Sequence, residues 1–278
     1  MEEGIEFVKG HGTENDFVLL PDPLGTLDLT PSRVRALCDR HSGLGADGVL
    51  RVVPGALVAD APPGMSLGDW FMDYRNADGS VAELCGNGVR VFARYLAEAG
   101  LVTDREFRIG SRSGSREVRR NDDGSVTVEM GRVQCHGAST VTVEGAAFTG
   151  LVVDVGNPHL ACLTDVPVEQ LALTVPPGHD PGKFPHGVNV EFINVVCAGQ
   201  LRMRVHERGV GETRSCGTGT VAALAAALDA EGRDTGEAEV QVLGGRLHVT
   251  IAGGGSALTG PAVLVASGQL DLAWWSAH

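Results

Sequence analysis

One glycine-rich motif occurs twice in the chain, and each copy has the form of a helix that begins at a cysteine. The copies are Cys85-Gly86-Asn87-Gly88 and Cys216-Gly217-Thr218-Gly219. Each is followed by an apolar run that ends at a glycine, Gly100 or Gly232. A helix start offers backbone N–H groups and the positive end of the helix dipole. We therefore expect each thiol to have a lowered pKa and each helix start to bind an anion such as a carboxylate.

Other residues recur in the same order, which indicates an internal duplication. Two pairs are separated by 142 residues and two by 131, and the Pro/Gly-rich segment 54–69 is the natural place for the 11 extra residues. We therefore expect two similar domains, with a boundary near Gly131 to Gln134. The matched pairs are Asn15 with Asn157, Gly45-Ala46-Asp47 with Gly187-Val188-Asn189, Asn76 with Glu207, and Cys85 with Cys216.

The charge and the cysteines exclude several classes of protein. A net charge of −13 disfavours a nucleic-acid or anionic-membrane partner, because both need a basic surface. There is neither a basic start followed by an apolar run nor a long apolar stretch, so we expect no signal peptide and no membrane span. The six cysteines include no Cys-x-x-Cys pair, which disfavours a zinc site, a disulfide framework and a thiol redox protein. A cytoplasmic location is the simplest interpretation.

Cofactor motifs are missing as well. The only lysines are Lys9 and Lys183, and neither lies in a convincing pyridoxal-phosphate motif. No Gly-x-Gly-x-x-Gly or phosphate-loop pattern follows a predicted strand. We therefore expect chemistry performed by side chains alone, with neither cofactor nor metal.

The apolar patterns predict a chain of short strands with three helices. Thr30-Pro31 is an N-cap followed by proline, and its helix should run to about Arg40. The other two helices follow the cysteine motifs. Strands are predicted at 5–9, 16–20, 49–53, 70–75, 106–111, 115–120, 125–130, 151–155, 190–197, 201–206, 240–243, 247–251 and 263–265.

Two cysteines suit the inversion of an amino acid at its α-carbon. One thiolate removes the α-proton from one face, and one thiol delivers a proton to the other face. The negative charge that develops on the carboxylate would be stabilised by backbone N–H groups at the two helix starts. A single cysteine at a turn is more often a small buried residue. The duplicated context of Cys85 and Cys216 favours catalysis.

Polar residues at the strand ends are candidates for holding the substrate. His159 and Glu207 are expected to tune the thiols, although a histidine after Asn-Pro is usually a turn residue and Glu207 beside Arg208 is usually a solvated ion pair. Arg208 could bind a second carboxylate with two hydrogen bonds. Four asparagines would ordinarily be turn or cap residues but could line a polar pocket, namely Asn15, Asn76, Asn157 and Asn189.

At these residues the chain resembles the diaminopimelate epimerases, which are cofactor-independent enzymes with two cysteines. The matching stretches run in the family's order over nearly the whole chain. They are Gly12-Thr13-Glu14-Asn15-Asp16-Phe17, Asn76-Ala77-Asp78-Gly79-Ser80, Cys85-Gly86-Asn87-Gly88, Gly156-Asn157-Pro158-His159, Gly187-Val188-Asn189-Val190, and Glu207-Arg208-Gly209 through Cys216-Gly217-Thr218-Gly219.

The resemblance implies a fold and a reaction. The fold would be α+β, with two pseudo-symmetric domains (1–131 with a returning tail 265–278, and 132–264). Each would be a mostly antiparallel sheet wrapped on a central helix, with the active site in the cleft between them. The reaction would convert LL- to meso-diaminopimelate for lysine and peptidoglycan precursors, in a homodimer.

It also implies roles for individual residues. Cys216 would be the proton acceptor for the LL isomer and Cys85 the proton donor. The backbone of Gly86, Asn87, Gly217 and Thr218 would hold the reacting carboxylate. The rest of the substrate would be held by Asn15, Asn76, Asn157, Asn189, Glu207 and Arg208, with the distal carboxylate on Arg208.

One departure from the family pattern bears on specificity. Many members carry a glutamine that reaches the substrate after the Gly45-Ala46-Asp47 segment, and this chain has Gly48 there. Two alternatives remain open: a two-cysteine racemase of another amino acid, such as a proline derivative or histidine, and a non-catalytic amino-acid-binding protein. The intact pair of cysteines disfavours the second, because binding alone needs no thiol.

Overall fold

The structure is a computed structural model that describes residues 4–278, and this part of the chain forms a sheet-dominated α+β fold. Its helices are α1 (Pro31–Cys38), α2 (Gly86–Glu98), α3 (Gly217–Ala230) and α4 (Leu272–Ser276). Its strands are β1 (Ile5–Gly12), β2 (Asn15–Pro21), β3 (Gly48–Pro54), β4 (Trp70–Asn76), β5 (Glu106–Gly110), β6 (Arg116–Arg120), β7 (Val126–Arg132), β8 (Gln134–Val143), β9 (Ala146–Asp154), β10 (Pro158–Leu163), β11 (Gly178–His179), β12 (Asn189–Cys197), β13 (Gln200–Glu207), β14 (Gly211–Thr213), β15 (Gly236–Val242), β16 (Gly245–Ala252), β17 (Gly255–Gly260) and β18 (Val263–Leu270).

The helix predictions are confirmed in type and differ in detail. Thr30 caps α1 through its side chain, as predicted, but the helix ends at Cys38 rather than near Arg40. α2 and α3 begin directly after their cysteines. No helix within residues 4–278 is long and apolar enough to cross a membrane.

The sequence patterns missed parts of the sheet and one short helix. β8, β10, β11, β14, β17 and α4 were not predicted, and β18 extends well beyond the predicted 263–265. β8 and β18 are mostly exposed, so their apolar alternation is weak. The start of β10 was taken for a turn because it opens with Pro158 after a glycine and an asparagine.

The chain divides into two compact units. The first unit runs to Val128 and takes in Pro261–His278, and the second unit is Glu129–Gly260.

The first unit is a mixed sheet with helices on its faces. Its strands lie in the order β18, β1, β2, β3, β4, β5, β6 and β7; the β2–β3 and β4–β5 pairs are parallel and the others antiparallel. α2 packs on the sheet through a fully buried stripe that includes Val89, Phe92 and Leu96. A second core, formed with α1, contains Val18, Leu37 and Val49.

The second unit has its own sheet and central helix. Its strands lie in the order β8, β9, β10, β12, β13, β15, β16 and β17; β10–β12 and β13–β15 are the parallel pairs. α3 is buried along almost its whole length and packs against this sheet. Leu160, Val190 and Phe192 pack in a separate core. Because strand side chains alternate between faces, His159 and Glu191 lie on the face toward α3.

The end of the chain completes the core of the first unit. Trp275 in α4 is only 7% exposed and packs in the same cluster as Leu270 and Val34. The Arg33 guanidinium lies 4.7 Å from the centre of the Trp275 ring and donates a hydrogen bond to the Trp275 carbonyl at 3.3 Å. The tail is therefore a packed part of the first unit.

We expect Trp275→Ala to lower the free energy of unfolding by about 3–5 kcal/mol, because a large buried ring is removed from a packed core. Urea unfolding followed by circular dichroism measures this change. Trp274→Ala is the matched control on the same helix, since Trp274 is only partly buried, and it should cost clearly less. Equal losses in the two variants would contradict the packing described for the tail.

Candidate active site

A cysteine sulfur caps the first turn of each central helix. The Gly88 N–H donates to Cys85 Sγ at 3.4 Å, and the Gly219 N–H donates to Cys216 Sγ at the same distance. Both cysteines have extended backbone and act as N-caps. The duplicated motif thus places each sulfur at a helix start, beside the first-turn N–H groups that could hold an anion.

In the first unit, the asparagine at the start of β2 turns its side chain toward the cysteine. Asn15 Oδ1 accepts hydrogen bonds from Asn87 Nδ2 at 3.2 Å and from the Cys85 thiol at 3.5 Å. Asn15 Nδ2 donates to Asp47 Oδ2 at 2.7 Å, and Asp47 in turn pairs with Arg40 at 2.8 Å. Asp47 therefore fixes which end of the Asn15 amide faces the thiol.

Asn76 and Gly48 lie next to each other in the β3–β4 pair. Asn76 Nδ2 donates to Ser80 Oγ at 3.0 Å, which closes a turn and is the ordinary role of asparagine. A Cβ on Gly48 would lie 2.7 Å from Tyr74 Cε2 and 2.6 Å from the Arg75 carbonyl oxygen. The space beside Gly48 is therefore occupied by the Tyr74 ring, and no side chain could replace the glycine without a shift.

A buried arginine lies one turn beyond Cys85. Arg90 has no exposed surface, and its guanidinium donates to Thr13 Oγ1 at 3.1 Å and to the carbonyls of Pro261 at 3.2 Å and Gly86 at 3.5 Å. Burial lowers the pKa of Arg90 to about 10, and the negative charge of a Cys85 thiolate would act against that shift. The Cys85 end of the first unit thus contains a buried cation held by neutral oxygens.

In the second unit, two neighbouring parallel strands place a histidine beside a glutamate. His159 Nδ1 lies 2.7 Å from Glu191 Oε1, and both side chains are fully buried. His159 Nε2 lies 3.0 Å from Asn157 Oδ1. The strand register pairs His159 with Asn189, whose side chain donates to the Pro158 carbonyl at 3.2 Å. The predicted residues Asn157, His159 and Asn189 therefore lie together.

The Glu207 carboxylate is close enough to the Cys216 thiol for its charge to raise the pKa of that thiol. Thr213 Oγ1 donates a hydrogen bond to the same carboxylate, and Thr218 Oγ1 lies 3.5 Å from Cys216 Sγ. Burial raises the pKa of Glu207, and the nearby Glu191 carboxylate raises it further. A carboxylate with a raised pKa accepts a proton more readily than an exposed one.

The expected lowering of the pKa by a helix start is wrong for Cys216. Burial raises the pKa of this thiol well above its ordinary value, and the Glu207 and Glu191 carboxylates add to the effect. The Thr218 hydroxyl and the Gly219 N–H act in the opposite direction and are outweighed. Desolvation and two carboxylates are therefore stronger here than the helix dipole.

The guanidinium of Arg208 is a candidate partner for a substrate carboxylate. Its side chain is exposed, and among residues 4–278 the guanidinium pairs with no carboxylate. Its backbone N–H donates to Asn189 Oδ1 at 2.9 Å, which links it to the asparagine at the start of β12. The methylenes of Arg208 lie where a side chain on Gly187 would be, because a Cβ added to that glycine would be 3.0 Å from Arg208 Cγ and 3.2 Å from Cδ.

Glu191, Asp47, Thr213 and Arg90 were missed as site residues by the sequence reasoning. For Glu191 and Arg90 a signal was present, because each is a charged residue inside an otherwise apolar strand or helix pattern. Asp47 belonged to a recognised motif but received no role. In the part of the chain that the structure describes, no group of three or more His, Cys, Asp or Glu side chains is placed to hold a metal ion.

Two solved structures have the same fold. The PhzF-family phenazine biosynthesis protein of Bacillus anthracis is 14% identical, with a TM-score of 0.72 over 97% of this chain and 100% of that one. A probable proline racemase from Agrobacterium radiobacter K84 is 16% identical, with a TM-score of 0.67 over 96% and 93%. At these identities the likeness shows the fold alone, and it defines the class: a sheet-dominated α+β fold shared with PhzF-like and proline-racemase-like proteins.

The sequence comparison is more specific. The family model for diaminopimelate epimerase matches residues 7–136 and 151–265. The diaminopimelate epimerase of Rhodococcus opacus (strain B4) is 58% identical over 286 residues, which cover 98% of this chain and 99% of the relative. The chain belongs to the diaminopimelate epimerase family, as its motifs predicted.

Gly219 and Gly88, the corresponding glycines of the two helix starts, differ in the space around them. A Cβ on Gly219 would lie 2.5 Å from Glu191 Oε1, whereas one on Gly88 would meet only ordinary contacts of 3.4 Å or more. We expect Gly219→Ala to lower the free energy of unfolding by about 1–3 kcal/mol through overpacking. Gly88→Ala should be near neutral, since alanine favours a helix. Urea denaturation of both variants measures this, and equal effects would contradict the described position of Glu191.

Proposed function

We propose that this chain converts LL-diaminopimelate to meso-diaminopimelate by a two-base reaction without a cofactor, on the route to lysine and peptidoglycan precursors. Membership of the family supports the substrate and the reaction. The observation that carries the mechanism is that a cysteine sulfur caps each of the two helix starts.

In this proposal the proton is exchanged between two thiols and the α-carbon. For the LL isomer, the Cys216 thiolate takes the α-proton and becomes a thiol. The electron pair left on the α-carbon spreads onto the adjacent carboxylate. The Cys85 thiol then donates its proton to the opposite face and becomes a thiolate. The meso isomer reacts by the same steps in reverse, so no electrons are gained or lost.

Backbone N–H groups stabilise the charge that forms on the reacting carboxylate. Gly86 and Asn87 supply them at the start of α2, and Gly217 and Thr218 at the start of α3. Fixed donors aimed at developing charge are a large contribution to catalysis, because they need no reorganisation during the reaction. The α-helical first turn supports this role, since its N–H groups have no intrahelical acceptors.

Glu207 and His159 prepare the thiols. Glu207 is proposed as the acceptor of the Cys216 proton, because its raised pKa makes it a better proton acceptor than an ordinary carboxylate. His159 acts as a tuning residue on the same face of the second unit. The remaining polar side chains would hold the substrate, with the distal carboxylate on the exposed guanidinium of Arg208: Asn15, Asn76, Asn157, Asn189, Glu207 and Arg208.

We also propose that the two units arose by internal duplication and that the substrate binds where both cysteines can reach it. The shared order of pairings supports the duplication. The strands β1 to β7 of the first unit correspond in order to β9, β10, β12, β13, β15, β16 and β17 of the second. Each neighbouring pair has the same direction, parallel or antiparallel, in both units. The helices α2 and α3 lie at the same point in this order, after the fourth strand of each set. A cytoplasmic homodimer completes the proposal and rests on the family resemblance.

The two-base reaction predicts a specific isotope pattern. LL-diaminopimelate is incubated with the enzyme in heavy water and the reaction is stopped at low conversion. The meso product should carry deuterium at the inverted carbon, because the donating thiol has exchanged with solvent, and the recovered LL isomer should carry almost none. Mass spectrometry after chiral separation measures both. A single base serving both faces would instead return protium to the product.

The two thiols should also be separately essential. Cys85→Ala and Cys216→Ala should each stop inversion, since general acids and bases contribute about 10²–10⁴-fold. Cys197→Ala, at an exposed cysteine elsewhere in the second unit, is the control and should keep full activity. Full activity in either catalytic variant would reject the mechanism.

Arg208→Ala should raise the KM for diaminopimelate by about a hundredfold or more, because a charged carboxylate would lose its partner in the complex. Arg202→Ala is the control, since Arg202 is an exposed arginine on β13 paired with Glu169. Steady-state kinetics measured as the change in optical rotation gives both values. An unchanged KM in Arg208→Ala would remove this residue from the substrate site.

A further inference from the structure

We propose that Glu191 is a positioning residue of this site, which orients His159 and keeps Cys216 in its thiol form in the free enzyme. The inference rests on the proposed function for its catalytic meaning. It answers a question that the two-thiol mechanism leaves open, namely which of its two thiols carries the proton before substrate binds.

Glu191 lies directly beneath the start of α3. It is on β12, between β10 and β13, and has no exposed surface. A Cβ on Gly219 would lie 2.5 Å from Glu191 Oε1 and 3.2 Å from both Cγ and Cδ. Gly219 is also the residue whose N–H caps Cys216 Sγ. The carboxylate and the thiol are therefore in contact with the same residue of the first helical turn.

One oxygen of Glu191 orients the histidine. Because a carboxylate oxygen can only accept, the 2.7 Å contact requires the proton of the His159 ring on Nδ1. That bond fixes the plane of the imidazole and directs Nε2 toward Asn157 Oδ1 at 3.0 Å. Glu191 thus sets the orientation of the predicted tuning residue.

The other oxygen has no hydrogen-bond donor. Among residues 4–278, Glu191 Oε2 finds no partner although it is buried. A buried carboxylate oxygen without a protein donor is poorly screened, so its charge acts strongly on nearby groups. Structural carboxylates in a core normally have both oxygens bonded. This one is better explained by its effect on its neighbours.

The titratable groups around Glu191 come from three elements. His159 and Cys162 are on β10, Glu207 is at the end of β13, and Cys216 is at the start of α3. Burial is the largest cause of the raised pKa values of Cys162, Glu207 and Cys216, and the Glu191 charge raises all three further. His159 lowers the pKa of Glu207. His206, the histidine of β13, lies opposite Glu212 of β14.

This arrangement has a consequence for both directions of the reaction. Removing the Glu191 charge lowers the pKa of Cys216. With the LL isomer, Cys216 must have lost its proton, so activity falls as the pH is lowered; Glu191→Gln should move this acidic limb to lower pH. With the meso isomer, Cys216 must hold its proton, so activity falls as the pH is raised; the alkaline limb should also move to lower pH. A purely structural loss would reduce both rates without moving either limb.

The decisive experiment measures the thiol without requiring turnover. Wild-type, Glu191→Gln and Glu212→Gln proteins are treated with iodoacetamide over a range of pH, and alkylation of Cys216 is followed by mass spectrometry of its peptide. Thiolate is the reactive form, so the midpoint of the rate reports ionisation. In Glu191→Gln the midpoint of Cys216 alkylation should fall to lower pH. At pH values below the midpoint, Cys216 should then be alkylated about threefold faster or more than in the wild type. Glu212 is a partly buried, ion-paired glutamate of the same unit, and its variant should match the wild type.

Two further arms keep the test decisive. Glu191→Asp retains the charge and should retain a raised midpoint. If the glutamine variant does not fold, Glu191→Met, which removes the charge at nearly the same length, takes its place and should show the same fall in midpoint. The wild-type midpoint for Cys216 is also compared with that of the same peptide in urea-unfolded protein, and it should lie higher in the folded state. An unshifted midpoint in folded Glu191→Gln, or a folded-state midpoint at or below the unfolded one, would overturn the inference. A protein that shows the shift but inverts no diaminopimelate would leave the inference standing and reject the proposed function.

Discussion

The second unit depends on a carboxylate buried beneath a helix start. Burying a carboxylate costs several kcal/mol, and a helix N-terminus returns only about 0.3–2 kcal/mol of that cost. Glu191 therefore needs the hydrogen bond from His159, and the parallel pairing of β10 with β12 places the two side chains 2.7 Å apart. The same carboxylate requires a glycine above it, because a Cβ at position 219 would collide with Oε1.

The first unit has the same cysteine-capped helix start with the opposite buried charge. There the charged group is the Arg90 guanidinium, held by a hydroxyl and two carbonyl oxygens, and the Cys85 thiol donates to the neutral amide of Asn15. A buried cation favours a thiolate, whereas buried carboxylates favour a thiol. Burial and the two carboxylates thus favour the thiol form of Cys216, which is the form that the meso isomer needs, and the LL isomer requires Cys216 to lose its proton first.

The sequence predicted the helix starts because they are local. Cys85 and Cys216 are each followed by glycines and an apolar run, and both helices begin at the next residue. The burial of Glu191 and Arg90 could not be predicted in the same way, since it depends on strand pairings and on a helix packed from far along the chain. The error about the pKa of Cys216 has the same origin. The helix dipole can be inferred from a motif, but it is outweighed by burial, which depends on the packing of the whole unit, and by two carboxylates from β12 and β13.

The measurement that tests the account most directly is an experimental structure of the protein bound to an unreactive analogue of LL-diaminopimelate. The account predicts that the α-carbon lies between the two sulfurs, with Cys216 Sγ on the side of the hydrogen and Cys85 Sγ on the opposite face, each at about 3–3.5 Å as near-attack geometry requires. It also predicts the distal carboxylate on Arg208. An α-carbon in contact with only one of the two sulfurs would contradict the two-thiol reaction.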